Sequence, residues 1–284
     1  QTRERCCTRT CGDVRSRTGR MKYNPIESYG VIGDMQSVAL VGMDGSIDWC
    51  CLPRFDSPSV FGRILDAEKG GHFRIFALHE GQQKQMYIPD TNVLVTRFLS
   101  PDGLGDVTDF MPLPRGSGDN SSTGTRQSVR IAKRVGRSDR FRMECFPAFD
   151  YARSTHIVER YDWGVRFRST DISLRLISSI PLAVNGTGIE AEFDLGPNES
   201  ATFTLQLEDS DETELHIDGE ALLTHTVRYW RRWHAHCKYE GRWREMVTRS
   251  ALVLKLLTYQ PTGSIVAAAT TSLPEEIGGV RNWD

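Results

Sequence analysis

The chain has 284 residues, 39% apolar and 25% charged, a composition that fits a folded globular protein and excludes a disordered one. A formal net charge of −2 gives no electrostatic case for nucleic acid or an anionic membrane as partner. No stretch approaches the roughly 18 apolar residues that a membrane helix needs, and the length suits one large or two ordinary domains.

The first twenty residues stand apart. They carry six Arg against Glu4 and Asp13, and Val14 is their only apolar side chain besides cysteine. Without an apolar core the segment is not a secretion signal. Met21, followed at once by ordered-looking sequence, reads as the true start, with 1–20 a disordered or non-native leader. Cys6, Cys7 and Cys11 offer a metal site as the alternative, but no second ligand cluster matches them. The other cysteines are Cys50, Cys51, Cys145 and Cys237, the first two adjacent. That is not a disulfide framework; it points to a reducing cytoplasm and to cysteines packed as small apolar groups.

From 37 to about 209 the chain reads as strands. Runs 37–41 and 46–52 flank Met43-Asp44-Gly45, a turn in which glycine supplies φ > 0. Residues 58–66 read as one short helix. Strands follow at 72–77, 84–88, 92–99 and 106–111, with Pro101-Asp102-Gly103 as a turn. The stretch 115–126, RGSGDNSSTGTR, is a polar loop with no periodicity. Runs 128–133, 140–146, 155–161, 164–169, 172–178, 182–184, 189–193 and 201–207 complete the series, with turns at Asp162-Trp163 and Asn185-Gly186. VRFRST and TFTLQLE alternate apolar and polar residues, so one face is buried and the other wet. Strands at this hairpin spacing give a mainly β fold, an antiparallel sandwich.

After Asp211 the period changes. Leu223, Val227, Trp230, Trp233 and Cys237 mark one face of a helix, with Arg228, Arg231 and Arg232 on the other side. A second helix spans 243–259. Its centre, 251–257, is apolar almost all round, so it is expected to be buried by more than its predecessor; Pro261-Thr262-Gly263 stops it. Within this chain Leu252, Leu254, Leu256 and Leu257 are expected to be partly in water and to favour self-association, so a homo-oligomer is one expectation. The divisions read as 1–20 leader, 21–210 sandwich, 211–240 helical linker and 241–284 the start of a helical domain whose remainder is absent.

Several long blocks carry a family likeness. One runs from Pro25-Ile26-Glu27-Ser28-Tyr29 through Ile32-Gly33-Asp34, Asp44 to Trp49, and Leu52-Pro53-Arg54-Phe55-Asp56-Ser57-Pro58. The other includes Trp243-Arg244, 254–259, Pro261-Thr262-Gly263, Ile265-Val266-Ala267 and 271–284, ending Arg281-Asn282-Trp283-Asp284. From Tyr23 onward the chain resembles glycoside hydrolase family 15, the bacterial and archaeal glucoamylase and trehalase-like enzymes. The resemblance implies an N-terminal β-supersandwich, a helical linker and an (α/α)6 barrel that carries the chemistry, of which this chain holds the first helix. It implies inverting hydrolysis of α-glucosides, trehalose or malto-oligosaccharides, and a small carbohydrate as partner. It also implies that family members continue past Asn-Trp-Asp to an Arg-Asp pair that binds the non-reducing glucose. The two catalytic glutamates lie further along, so no catalytic residue is expected here.

Inverting hydrolysis uses two carboxyls about 6.5–9.5 Å apart with a water between them. Glu275 and Glu276 are adjacent and point in different directions, so they do not fit. Trp49, Arg54, Phe55 and Asp56 combine aromatic rings with an Arg and an Asp, which suits either a domain interface, with Arg54 and Asp56 paired across it, or the rim of a sugar site. Arg281, Asn282, Trp283 and Asp284 are the expected substrate-binding residues. His234, His236 and Cys237 lack a fourth ligand for zinc, no glycine-rich phosphate loop is present, and no cofactor is expected. A non-catalytic carbohydrate-binding or scaffolding sandwich is the rival reading. The apolar helix centre at 250–257 argues against it, because a finished module would not need that helix.

Overall fold

The structure is a computed structural model describing residues 23–79, 81–101, 103–113, 126–136, 139–208, 218–280 and 282. Its strands, in chain order, are β1 (Tyr29–Gly33), β2 (Val38–Gly42), β3 (Ser46–Cys51), β4 (Ser59–Phe61), β5 (His72–Ala77), β6 (Gln82–Tyr87), β7 (Leu94–Ser100) and β8 (Gly103–Phe110). They continue with β9 (Gln127–Gly136), β10 (Asp139–Phe146), β11 (His156–Tyr161), β12 (Gly164–Ser169), β13 (Ser173–Ser178), β14 (Ala183–Asn185), β15 (Gly188–Leu195) and β16 (Ser200–Leu207). Helical segments are α1 (Phe149–Ala152), α2 (Gly219–His234) and α3 (Arg244–Leu256).

Two eight-stranded sheets result, antiparallel throughout. One runs β1-β2-β3-β5-β10-β15-β14, with β4 paired to β3; the other runs β11-β12-β13-β16-β9-β8-β7-β6. Their inner faces meet in one core because the side chains alternate. Phe73, Ile75 and Ala77 of β5 and Phe141, Met143 and Cys145 of β10 face Phe167, Leu174, Leu176, Phe203 and Leu205 of the other sheet. Gly45 closes the β2–β3 hairpin at φ +78, where a Cβ would meet the Ile75 carbonyl oxygen at 2.1 Å.

Residues 58–66 are not a helix. Ser59, Val60 and Phe61 are all buried and pair with β3, Cys50 opposite Phe61, and the chain then turns on Asp66, whose Oδ1 accepts from Glu68 and Lys69 N–H. β1 carries no expected strand; two of its five residues are glycine, which mutes the pattern. The loop 115–125 lies outside the described residues.

Two smaller cores lie outside the sandwich. Leu222 of α2 packs with Val93, Phe110, Val129 and Ile131 on the outer face of the second sheet. Trp230 of α2, with Leu252 and Leu256 of α3, packs on Met35, Val38, Phe55 and Leu113. The buried stripe of α2 is therefore Leu222, Thr226, Trp230 and His234, offset from the expected one, and Cys237 is exposed beyond the helix end. Hydropathy misses Thr226 and His234 because their polar atoms are satisfied: Thr226 Oγ1 donates to Leu222 O at 2.8 Å, and His234 Nε2 meets Thr248 Oγ1 at 3.0 Å. On α3, Leu252 and Leu256 are buried rather than wet; Leu254, at 54% exposure, is the leucine of the expected four left largely in water. Asp218 caps α2 by accepting from Ala221 N at 3.0 Å. Among the described residues no helix is long and apolar enough to cross a membrane.

Candidate functional site

The chemistry-bearing residues gather where the sandwich meets α3 and the chain after it. Three loops build the contact. The first joins β1 to β2. Its tightness needs Met35 at φ +66, and Asp34 Oδ1 fixes it by accepting from Gln36 N at 3.0 Å and Ser37 N at 2.8 Å. A Cβ on Gly33 would meet Ser37 O at 2.6 Å and Leu256 Cδ1 at 3.1 Å, so glycine lets α3 approach. The Met35 carbonyl accepts from Gln260 N at 2.9 Å.

Burial pushes the Asp34 carboxyl up to about 6, against the pull of the two amides and of Arg126. Its folded value thus exceeds the ordinary 3.8, so protonation favours the fold. Its contribution is full below pH ~4 and is lost as pH rises through ~6. Asp34→Asn keeps the acceptor and cannot ionise. It is expected to match wild type at pH 4 and to exceed it by roughly 2–3 kcal/mol at pH 8. Urea midpoints at the two pH values check this; a constant difference would refute it.

The second loop follows β3. Trp49 is fully buried and its Nε1 donates to Ala269 O at 2.9 Å. Cys51 Sγ lies 3.3 Å from Ser272 Oγ, and Phe55 meets Tyr259 edge-on with centroids 6.1 Å apart. Tyr151 of α1 donates to Ser272 O at 3.2 Å and lies 6.5 Å from the Trp49 ring. Asp150, Tyr151 and Ala152 all have positive φ, at 51, 56 and 65, so α1 is a left-handed turn held against its own sterics. Arg54 and Asp56 do not reach across the contact. They pair with each other on the surface, Nε to Oδ1 at 2.8 Å and Nη2 to Oδ2 at 3.2 Å.

The third loop joins β6 to β7 and was not singled out from the sequence. Asn92 Nδ2 donates to Leu252 O at 3.0 Å. Arg249 of α3 returns the contact, donating to Thr91 O at 2.9 Å and to Asn92 Oδ1, with its guanidinium 3.9 Å above the Tyr87 ring. Tyr87 in turn bonds Val31 N and O through its hydroxyl, at 2.8 and 3.0 Å. An Asn before a strand and an Arg within a helix give no sequence signal for such pairing; only the fold brings positions 92 and 249 together.

Beyond α3, Asn282 uses its amide within its own loop: Oδ1 accepts from Glu276 N at 3.1 Å, and Nδ2 donates to Glu276 O and Gly279 O at 3.1 and 3.2 Å. Arg281, Trp283 and Asp284 lie outside the described residues. His234 Nδ1 lies 3.5 Å from Asp90 Oδ1, so with Thr248 it ties the two helices to the third loop.

The sandwich thus clasps α2 and α3 through three loops. Residues 18–211 match the family model described as "Trehalase-like, N-terminal", and the chain belongs to that family. It is similar to a trehalase of Thermoplasma acidophilum, 36% identical over 250 residues, with 86% of this chain and 42% of that protein covered. It is also similar to a trehalase of Mycolicibacterium smegmatis, 31% identical over 288 residues, covering 94% and 43%. The chain thus spans less than half the length of the curated relatives it matches. Among solved structures it is similar to a putative kojibiose phosphorylase from human microbiome, with a TM-score of 0.36 at 6% identity over 81% of this chain and 35% of that one.

Proposed function

We propose that this chain is the N-terminal part of an inverting glycoside hydrolase of family 15 that releases glucose from trehalose. The observation that carries the reading is the junction: Trp49 to Ala269, Asn92 to Leu252 and Arg249 to Thr91 fix α3 and the chain after it on the sandwich. Residues 21–210 act as a platform, 211–240 as a linker and 241–284 as the opening of the catalytic domain. The outer face of α3, with Trp243, Met246, Val247, Ala251 and Leu254, is where further helices pack. The similarity to trehalases at 36% and 31% identity supports the substrate. Arg281 to Asp284 then stand at the rim of the sugar site, and a glutamic acid and a glutamate beyond this chain supply proton and activated water.

The expected result is no glucose release from trehalose or maltose by this chain alone, and turnover by a polypeptide that continues into the catalytic domain. Proton NMR of the first-formed sugar distinguishes inversion from retention. Turnover by this chain that survives repurification would refute the division of labour, and retention would refute the mechanism.

A further inference from the structure

The tip of the β11–β12 hairpin holds an aromatic pair that the junction does not use. Tyr161 and Trp163 stack with centroids 4.8 Å apart and planes 11° from parallel. Arg166 also packs over Tyr161, its Cζ 5.0 Å from the ring centroid and its Nη1 donating to the Tyr161 hydroxyl at 2.9 Å. That hydroxyl donates to Glu159 at 3.4 Å. The stack finishes on the indole of Trp163, which is half-buried, beside Tyr161 at 41% exposure on the hairpin tip. Among the described residues no second ring or guanidinium lies on Trp163. Asp162, between the two in sequence, is exposed, and its carboxylate has no partner among the described residues. Asp162 and Arg160 line a cavity of about 140 Å³ with Ser178, Ile180 and Pro181.

These groups match one ligand chemistry. A pyranose offers an apolar C–H face to a ring and equatorial hydroxyls to carboxylates and guanidinium groups. The neighbouring sheet face favours a neutral ligand, because its cations are already shared: Arg166 and Arg168 both reach Glu159, and Arg166 and Arg175 both reach Glu208. With Asp162 unpaired, an anion gains nothing there. The cavity is too small for a sugar ring but has room for a hydroxymethyl arm. We propose that the hairpin tip is a saccharide-binding surface, with the Trp163 indole under a glucosyl unit and Asp162 and Arg160 on its hydroxyls. The stack orders the indole before any ligand arrives, which limits the entropy lost on binding. A single-ring platform implies an affinity of roughly 1 mM. The inference stands on this surface and does not depend on the trehalase reading.

Saturation-transfer NMR on the full chain, with maltoheptaose and trehalose as separate probes, tests it. Transfer from wild type to glucosyl C–H protons is expected. A signal with maltoheptaose alone identifies a glucan chain as the ligand; a signal with both identifies any terminal glucosyl unit. Trp163→Ala is expected to weaken binding at least about tenfold, while Trp243→Ala, which removes an exposed indole on α3, leaves it unchanged. Because loss of the indole also unpins the hairpin, Asp162→Ala serves as the second variant, with binding several-fold weaker at an unchanged Tm. No transfer with wild type, or wild-type affinity in either hairpin variant, overturns the proposal. A role confined to pinning the hairpin gives the first of these results together with a lower Tm for Trp163→Ala.

Discussion

Trp49→Ala will lower the stability of this chain by roughly 3–5 kcal/mol, the usual cost of truncating a buried aromatic. Two losses combine. The indole is fully buried within β3, so its removal leaves a cavity. It also leaves the Ala269 carbonyl without the donor it has at 2.9 Å. Trp49→Phe separates the two, keeping most of the volume and losing the N–H; it is expected to show a smaller part of the loss, on the order of 1–2 kcal/mol for the stranded acceptor. Urea unfolding gives the stabilities. Limited proteolysis locates the damage, with faster cutting in 257–280 before the sandwich opens. A midpoint unchanged in Trp49→Ala would sink the idea that this ring holds the later chain to the sandwich.

Asp109→Ala should cost a similar 3–5 kcal/mol, because it strands a buried cation. Asp109 and Arg130 have fully buried side chains and form a two-pronged pair, Nε to Oδ1 at 2.7 Å and Nη2 to Oδ2 at 3.2 Å. Arg130 also donates to the Gly45 carbonyl at 2.7 Å and to that of Phe73, and its guanidinium lies 4.8 Å from the Phe73 ring centroid. Asp109 and Arg130 belong to one sheet, Gly45 and Phe73 to the other, so the pair bolts the sheets together through the core. Replacing both partners, Asp109→Leu with Arg130→Met, should recover much of the loss, since an apolar pair needs no compensation. A single-variant cost below about 1 kcal/mol would show that the pair contributes little to holding the sheets.

The mainly β character and most strands were legible because period-2 alternation and Asp-Gly turns are local signals; β5 and β12 fall where the alternation places them. What escaped is set by tertiary contact. Ser59-Val60-Phe61 is a strand because β3 lies beside it, and nothing in those residues says so. Thr226 and His234 are buried because Leu222 and Thr248 satisfy them. Trp49 and Phe55 were legible as unusual aromatics, but Arg54 and Asp56 were expected to pair across the contact and instead pair with each other. The clamp of Asn92 and Arg249 joins residues 157 positions apart, beyond any pattern in a sequence window.

The order of the strands governs how this protein can be made. β10 lies between β5 and β15, and β16, the last strand, lies between β9 and β13. The second sheet lacks its central strand until residues 200–207 have arrived, and the first lacks β14 and β15 until residues 183–195 have. A nascent chain paused at 150 or 180 exposes unpaired edges on both sheets, with no half that can close by itself. Folding must wait for nearly the whole sandwich to leave the ribosome, and the long-range pairings β5–β10, β10–β15 and β9–β16 make the search slow. The chain after β16 emerges just as its platform becomes complete, so α2 and α3 dock on a finished surface.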